Sequence, residues 1–373
     1  MTRIGTEICI RYGIEWHQEA IKAVPIPKKS GGTRVLGVPT VSDRIAQMVV
    51  KQILDDTLEP IFHKDSYGYR PNKSAHDALA VTRKRCWKYS WGIEFDIRGC
   101  FDNIDHVLLM KAVEKHIESK WVKLYLRRWL TAPLVDSNGK KHKRSRGIPQ
   151  GGVVSPCLMN LFLHYVFDAW MSRNHSNVPW CRYADDGLAH CVSEKQALFI
   201  KDKLVKRFKH CGLELHPDKT KVFYCKDGLR RENYSCITFD FLGYTFQPRI
   251  AKDKRGGHFT TFLPAVSKSA MKAMRQTIRR WKIQLKSDKS LEELSRMWSR
   301  TLQGWTNYYG KFYKSTLSRV WKHFDAYLLR WAMHKFKRFR RHRTRAIKWL
   351  RNIAKDKPMM FPHWKLGFNP WAG

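Results

Sequence analysis

Apolar and polar positions repeat with two different periods along this 373-residue chain. Over WGIEFDI (91–97) the period is two. Ile93, Phe95 and Ile97 share one face and Glu94 and Asp96 the other, as in a half-buried strand. WCRYA and LAHCV flank Asp185-Asp186-Gly187 and read as the arms of a hairpin, with Asp-Gly as the turn signal. Helical spacing marks VSDRIAQMVVKQILDDTLEPIF through Ile45, Val49, Ile53, Leu54 and Leu58, with Ser42 or Asp43 as the candidate cap. Asp105 is placed to cap HVLLMKAVEKHI, and a Ser cap followed by Pro opens SPCLMNLFLHYVFDAW. ALFIKDKLVKRFKHCGL is an amphipathic helix ending near Gly212. Residues 91–247 thus mix strands and helices in an α+β pattern.

From about residue 264 the pattern turns helical throughout. Leu291, Leu294, Trp298, Leu302, Trp305, Tyr308 and Phe312 fall near helical spacing, as do Val320, Phe324, Tyr327 and Trp331. Lys and Arg fill the other faces. The tryptophans are expected in the core, because large aromatics dominate burial. The boundary between the two regions is expected in RIAKDKRGGHFTTFLP (249–264), where glycine and charge interrupt the pattern.

Composition narrows the class. Hydrophobic residues make up 43% of the chain, enough for a packed core. Lys and Arg total 71 against 32 Asp and Glu, a net charge of +39, which fits a polyanionic partner. Residues 264–373 hold 27 of the basic residues against 5 acidic ones, a net +22 in under a third of the length. The nine cysteines are scattered without a C-x-x-C pair, which argues against a disulfide framework or zinc site and for a reducing compartment. No run of 18 apolar residues predicts a membrane span, and MTRIGTEICIRYG lacks the apolar centre of a signal peptide. An intracellular protein associated with nucleic acid is the expectation.

Against that basic background stands RYADDGL (182–188), with two adjacent carboxylates. Alone it reads as a turn. Asp96 changes the picture: a carboxylate in the middle of an apolar strand is costly unless paired or metal-bound. Asp96 with Asp185 and Asp186 would suit divalent cations, since Mg²⁺ takes a few carboxylates together with substrate phosphate oxygens. Two such ions, about 3.5 to 4 Å apart, activate an attacking 3′-hydroxyl and stabilise the leaving oxygen in phosphoryl transfer.

YADD, with FDIRGCFDNIDH upstream and RGIPQGGVVSP between them, resembles the palm of a reverse transcriptase. IPKKSGGTRVLGVPTVSDRIAQ and SYGYRPNKSAHDAL resemble fingers blocks; GLELHPDKTK and FLGYTF resemble the palm blocks after YADD; GWTNYYGKFY resembles the thumb signature. The ordered set, from about residue 20 to 365, resembles the reverse transcriptase–maturases encoded in group II introns. QGGVVSP and GWTNYYG favour this class over retron and diversity-generating enzymes.

The resemblance implies a right-hand polymerase: partial fingers over 1–90, a palm over 91–250, and a helical thumb or maturase domain over 264–373. It implies an N-terminally short member without an endonuclease domain. Asp96, Ile97, Asp185 and Asp186 would hold two Mg²⁺ ions, with Mn²⁺ as a substitute. Phe101 would pack under the incoming sugar and favour dNTPs, since an aromatic there collides with a 2′-hydroxyl. Lys28 and Arg34 would meet the triphosphate, and Gln150 the nucleotide and template. Tyr183, Gly151 and Gly243 would contact primer and template. Lys219, with Lys221 as rival, would protonate the leaving pyrophosphate. Apart from the resemblance, RFRRHRTR (338–345) is the densest basic run, so Arg338, Arg340, Arg341 and Arg343 are expected to bind RNA, with a solvated helix face as the alternative. The implied partners are intron RNA, an RNA template with a DNA or RNA primer, and dNTPs, with no membrane. The implied location is the bacterial cytoplasm, within a ribonucleoprotein or the nucleoid, or else an organelle. Two alternatives are an RNA-binding splicing chaperone with a weak or dead palm, and a non-intron bacterial reverse transcriptase.

Overall fold

The computed structural model describes residues 19–27, 31–253 and 255–370. It divides into two compact units, Met1–Tyr224 and Cys225–Gly373.

The first unit carries strands β1 (Ile21–Pro27), β2 (Thr33–Val38), β3 (Trp91–Asp96), β4 (Leu134–Val135), β5 (Lys141–His142), β6 (Trp180–Tyr183), β7 (Asp186–Cys191) and β8 (Lys221–Tyr224). They form two sheets, ordered β2-β1-β4-β5 and β6-β7-β3-β8. In the second sheet β3 runs antiparallel to both its neighbours, β7 and β8. Ile93, Phe95 and Ile97 are buried, as their alternation predicts. The Phe95 ring packs 5.0 Å from Phe167 and 5.8 Å from Phe208, so the helical segments carrying these two rings cover the same region of the sheet. Opposite Phe95 across the pair stands Gly187. A Cβ there would overlap the ring, so the glycine serves close packing rather than the turn.

Asp105 caps the helix His106–Glu114, its Oδ1 accepting from the Leu108 amide at 2.8 Å. Two other caps fall elsewhere than expected. Helix Val41–Leu58 is capped by Thr40, whose hydroxyl accepts from the Asp43 amide at 3.2 Å; neither Ser42 nor Asp43 is the cap. Its inward face also differs from the apolar pattern: Asp43 and Gln47 are buried, while Ile45 is 42% exposed. Trp129 Nε1 donates to Asp43 Oδ1 at 3.3 Å, and the Val153 amide donates to Gln47 Oε1 at 2.7 Å. The long-range partners outweigh the stripe. Ser155 is already inside its helix, Ser155–Leu163, with Val154 at the cap position and no side-chain cap. This helix runs on through one π-helical turn, His164–Asp168, into Ala169–Asn174.

The second unit opens with an antiparallel sheet of β9 (Phe239–Phe241), β10 (Tyr244–Lys252) and β11 (His258–Val266), ordered β11-β10-β9. The stretch 249–264, expected to carry a boundary, is thus a paired hairpin, and the compact units part between Tyr224 and Cys225. Helices Lys268–Arg280, Leu291–Tyr309, Ser318–Lys335 and Arg343–Asp356 follow. Their core is aromatic. Trp281 stacks on Trp298 at 5.2 Å and on Trp305 at 5.7 Å, and Trp321, Trp331 and Trp364 are fully buried. The tyrosines of GWTNYYGKFY tie the helices to the sheet. Tyr308 Oη donates to the Leu242 carbonyl and Tyr313 Oη to that of Ile250, both at 2.9 Å, and Tyr244 Oη donates to the Tyr308 carbonyl. The FLGYTF and GWTNYYGKFY blocks therefore pack against one another.

Candidate active site

Asp96 ends β3 and lies opposite Asp186, the first residue of β7. Tyr183 pairs with Asp186, so the hairpin turn is Ala184-Asp185, two residues earlier than the Asp-Gly signal suggested. Ala184 accepts a left-handed φ of 57° to make it. One aspartate is thereby in the turn and the next at the strand start. This removes the difficulty that consecutive strand residues face opposite ways.

The three carboxylates act on one another. Burial, then the charges of Asp185 and Asp96, push Asp186 up to about 7. Asp185 is raised too, chiefly by burial, with Asp96 adding to it. Lys219 Nζ donates to Asp96 Oδ2 at 2.8 Å, and that bond raises the lysine pKa. The turn carrying Lys219 is anchored to the same strand: the His216 amide donates to the Asp96 carbonyl at 2.8 Å, and the Lys219 amide to the His216 carbonyl at 3.2 Å. Lys221, the rival lysine, sits in β8 opposite Glu94. Ile97 follows Asp96, buried and bridged to Leu215.

An all-oxygen set in which burial and the Asp96 charge raise both Asp185 and Asp186 fits a hard divalent cation. Among the described residues no group of three or more His, Cys, Asp or Glu is arranged to hold a metal ion by itself. A cation at Asp96, Asp185 and Asp186 would therefore draw further ligands from water and substrate phosphate.

Beneath the turn lies a residue that the sequence motifs did not single out. Arg182, fully buried, donates from Nε and Nη2 to the two Asp168 oxygens at 2.8 and 2.6 Å, from Nη1 to Asn160 Oδ1 at 3.0 Å, and from Nη2 to Ser66 Oγ at 2.8 Å. Nη1 also donates to the carbonyl of Ala184 at 2.9 Å, which holds the turn itself. Asn160 in turn donates to the Gly68 carbonyl at 2.7 Å. A Cβ on Gly68 would strike the Ala184 backbone, so the SYGYR loop lies directly against the turn. Tyr69, next along that loop, has its phenol raised first by burial, then by Asp185, with Arg34 opposing. The signal for Arg182 was available: a charge in the middle of the apolar strand WCRYA, the same anomaly that marked Asp96.

The loop RGIPQGG joins two elements near this centre, the helix Cys100–Asn103 and β2. The Ile148 amide donates to the Phe101 carbonyl at 2.6 Å, Gln150 Nε2 to Asp102 Oδ1 at 3.2 Å, and the Gly37 amide of β2 to the Gln150 carbonyl at 3.0 Å. Phe101 is half-buried in the one-turn helix Cys100–Asn103, with Gly151 just beyond Gln150 in the loop. Arg34 is exposed on β2 opposite Ile26. Lys28 lies outside the described residues. Gly243 and Arg338, Arg340, Arg341 and Arg343 belong to the second unit. Gly243 is in the β9–β10 turn. The four arginines are exposed, and they do not line one helix face: Lys337–Phe339 is a 3₁₀ turn, Arg341 has φ 67°, and the helix starts at Arg343.

An antiparallel sheet with three aspartates gathered at one end is the palm of a nucleic-acid polymerase. Residues 26–246 match the family of reverse transcriptases (RNA-dependent DNA polymerases), and residues 271–349 match the group II intron, maturase-specific domain; the chain belongs to this family, among the reverse transcriptase–maturases of group II introns. It is 37% identical over 150 residues to the group II intron-encoded protein LtrA of Lactococcus lactis subsp. cremoris, a match covering 40% of this chain and 25% of LtrA. It is 31% identical over 260 residues to protein YkfC of Escherichia coli K12, covering 60% of this chain and 65% of YkfC. The chain thus spans less than two thirds of the length of these relatives. Telomerase from Candida albicans, solved with a fragment of telomeric RNA, shares the fold with a TM-score of 0.51 over 94% of this chain and 64% of its own, at 14% identity. Reverse transcriptases work with divalent metal ions. No helix among the described residues is long and apolar enough to cross a membrane.

Proposed function

We propose that the chain is an RNA-directed DNA polymerase of a group II intron that also binds intron RNA and assists its splicing and mobility. The observation carrying this is the cluster of Asp96, Asp185 and Asp186, with Asp186 raised to about 7 by its burial and its neighbours. Such a cluster is stabilised by cations, and two Mg²⁺ ions, or Mn²⁺ in their place, would supply charge neutralisation for the attacking and leaving oxygens. Asp96, Asp185, Asp186 and the Ile97 carbonyl would hold them. Lys219, kept protonated by Asp96, hands a proton to the departing pyrophosphate. Arg34 and Lys28 receive the triphosphate, Arg34 by bidentate bonding. Gln150, oriented by Asp102, meets the nucleotide, and Tyr183, Gly151 and Gly243 track primer and template. Phe101 excludes the 2′-hydroxyl. An RNA-binding splicing helper without catalysis is the second reading, favoured by the +22 charge of residues 264–373.

Primer extension on poly(rA)/oligo(dT) with Mg²⁺ separates the two. The wild type extends; Asp96→Asn and Asp185→Asn do not, while both still bind RNA. Phe101→Val extends but accepts rNTPs more readily relative to dNTPs. Wild-type rates in either aspartate variant would remove these residues from the mechanism, and an unchanged sugar preference would reduce Phe101 to packing.

A further inference from the structure

A basic cavity lies wholly within the second unit. A cavity of about 420 Å³ opens between β10, the start of helix Lys268–Arg280 and the segment 313–319. Its size falls in the range of about 300–1,000 Å³ typical of small-ligand pockets, room for a nucleotide unit rather than a bare ion. Arg249, Lys268 and Arg319 line it with Tyr313, Ser315 and Thr316, and no Asp or Glu is among the lining residues. Among the described residues neither Lys268 nor Arg319 has a hydrogen-bonded or ion-paired partner.

Arg249 is held in place rather than neutralised. Its Nε donates to the Leu263 carbonyl and its Nη2 to the Thr245 carbonyl, both at 3.2 Å, and its guanidinium lies 5.4 Å from the centre of the Tyr313 ring. Burial lowers its pKa, and the nearby Arg319 adds to that effect. Tyr313 adopts a left-handed φ of 41° to reach this position, with its hydroxyl on Ile250. Helix Ser318–Lys335 continues directly from the 3₁₀ turn Lys314–Leu317, and the Ser318 amide donates to the Ser315 carbonyl. Three cations without a carboxylate, together with the hydroxyls of Ser315 and Thr316, favour an anionic ligand.

We infer that this cavity binds a backbone phosphate, with its attached ribose, of an RNA strand. The inference rests on the reading of the chain as an RNA binder and assigns part of that binding to a defined pocket. A polymer is favoured over a free anion by the volume and by the surplus positive charge of the segment that forms the pocket.

The test uses the full chain with Lys268→Gln and Arg319→Gln combined, and a fluorescent oligo(U) RNA titrated across a range of KCl concentrations. Both side chains are exposed, and thermal melting of the variant should match the wild type. The expected result is weaker binding, with the slope of log K against log salt shallower by about 0.7 for each phosphate no longer neutralised. Arg319→Glu should weaken binding further. If the wild type binds and the double variant matches it in affinity and slope, the pocket is not an RNA site. If the wild type fails to bind oligo(U), the RNA reading itself falls with it. Inorganic phosphate, at ionic strength matched with chloride, should displace the RNA no better than chloride; specific displacement would give the cavity to a free anion and overturn the assignment.

Discussion

Arg182 illustrates what one buried charge can do at a site it never enters. Its guanidinium joins Asp168, Asn160, Ser66 and the Ala184 carbonyl, so the turn bearing Asp185 rests on a fixed polar floor. Removing one member of a buried ion pair leaves the other charge uncompensated, at a cost of about 3–5 kcal/mol. Arg182→Met should therefore lower stability by that order in urea unfolding. Arg182→Met with Asp168→Leu should regain much of the loss, because no lone charge is left buried. Polymerisation should stay low in the pair, since the Ala184 carbonyl still lacks its donor. A stable double variant with the wild-type rate would show that Arg182 supports the fold and nothing more.

At the scale of the element, β7 joins chemistry at one end to packing at the other. Its first residue is Asp186; its fifth, His190, is fully buried, with no partner for either ring nitrogen among the described residues. Burial drives His190 down to about 3, aided by the Arg85 charge. Its folded pKa is thus below its unfolded one, so between about 3 and about 6.5 the unfolded chain binds more protons and stability rises with pH. His190→Leu should flatten that acid limb. Urea midpoints measured at about pH 4 and about pH 7 should differ less in the variant than in the wild type. An equal pH dependence would place the acid sensitivity elsewhere.

Over the whole molecule the dominant quantity is charge, +39 in total. Most surface cations contribute little to stability and much to attraction of a polyanion. Arg338, Arg340, Arg341 and Arg343 are exposed, although Arg338 also lies 4.8 Å over the Phe339 ring. Changing all four to Gln should weaken intron RNA binding and make its salt dependence shallower by about 0.7 to 0.9 for each phosphate left without its cation. DNA synthesis on a short preformed duplex should suffer less. An unchanged salt slope would move the RNA interface away from this run.

Period-two and helical spacing were enough to place β3, the YADD hairpin, the Asp105 cap and the aromatic core of the later helices, because burial of regular apolar faces is a local property of the chain. Asp96 stood out for the converse reason: a carboxylate among apolar neighbours needs a partner, and the pairing of β3 with β7 sets it opposite Asp186. The same rule points to Arg182, but its partners come from two other segments, the helix carrying Asn160 and Asp168 and the loop carrying Ser66. What tertiary structure alone decided follows the same logic. Asp43 and Gln47 turn inward because Trp129 and Val153, 86 and 106 residues further on, satisfy them. The turn closes on Ala184-Asp185 instead of Asp-Gly because Gly187 must lie flat under Phe95 of the neighbouring strand. The glycine-rich stretch before residue 264 is a hairpin because the FLGYTF and GWTNYYGKFY blocks, 66 residues apart at their Tyr308–Leu242 bond, hold its sheet against the helices. Local pattern records which face is apolar; only the folded chain supplies the partner that makes a polar residue affordable inside.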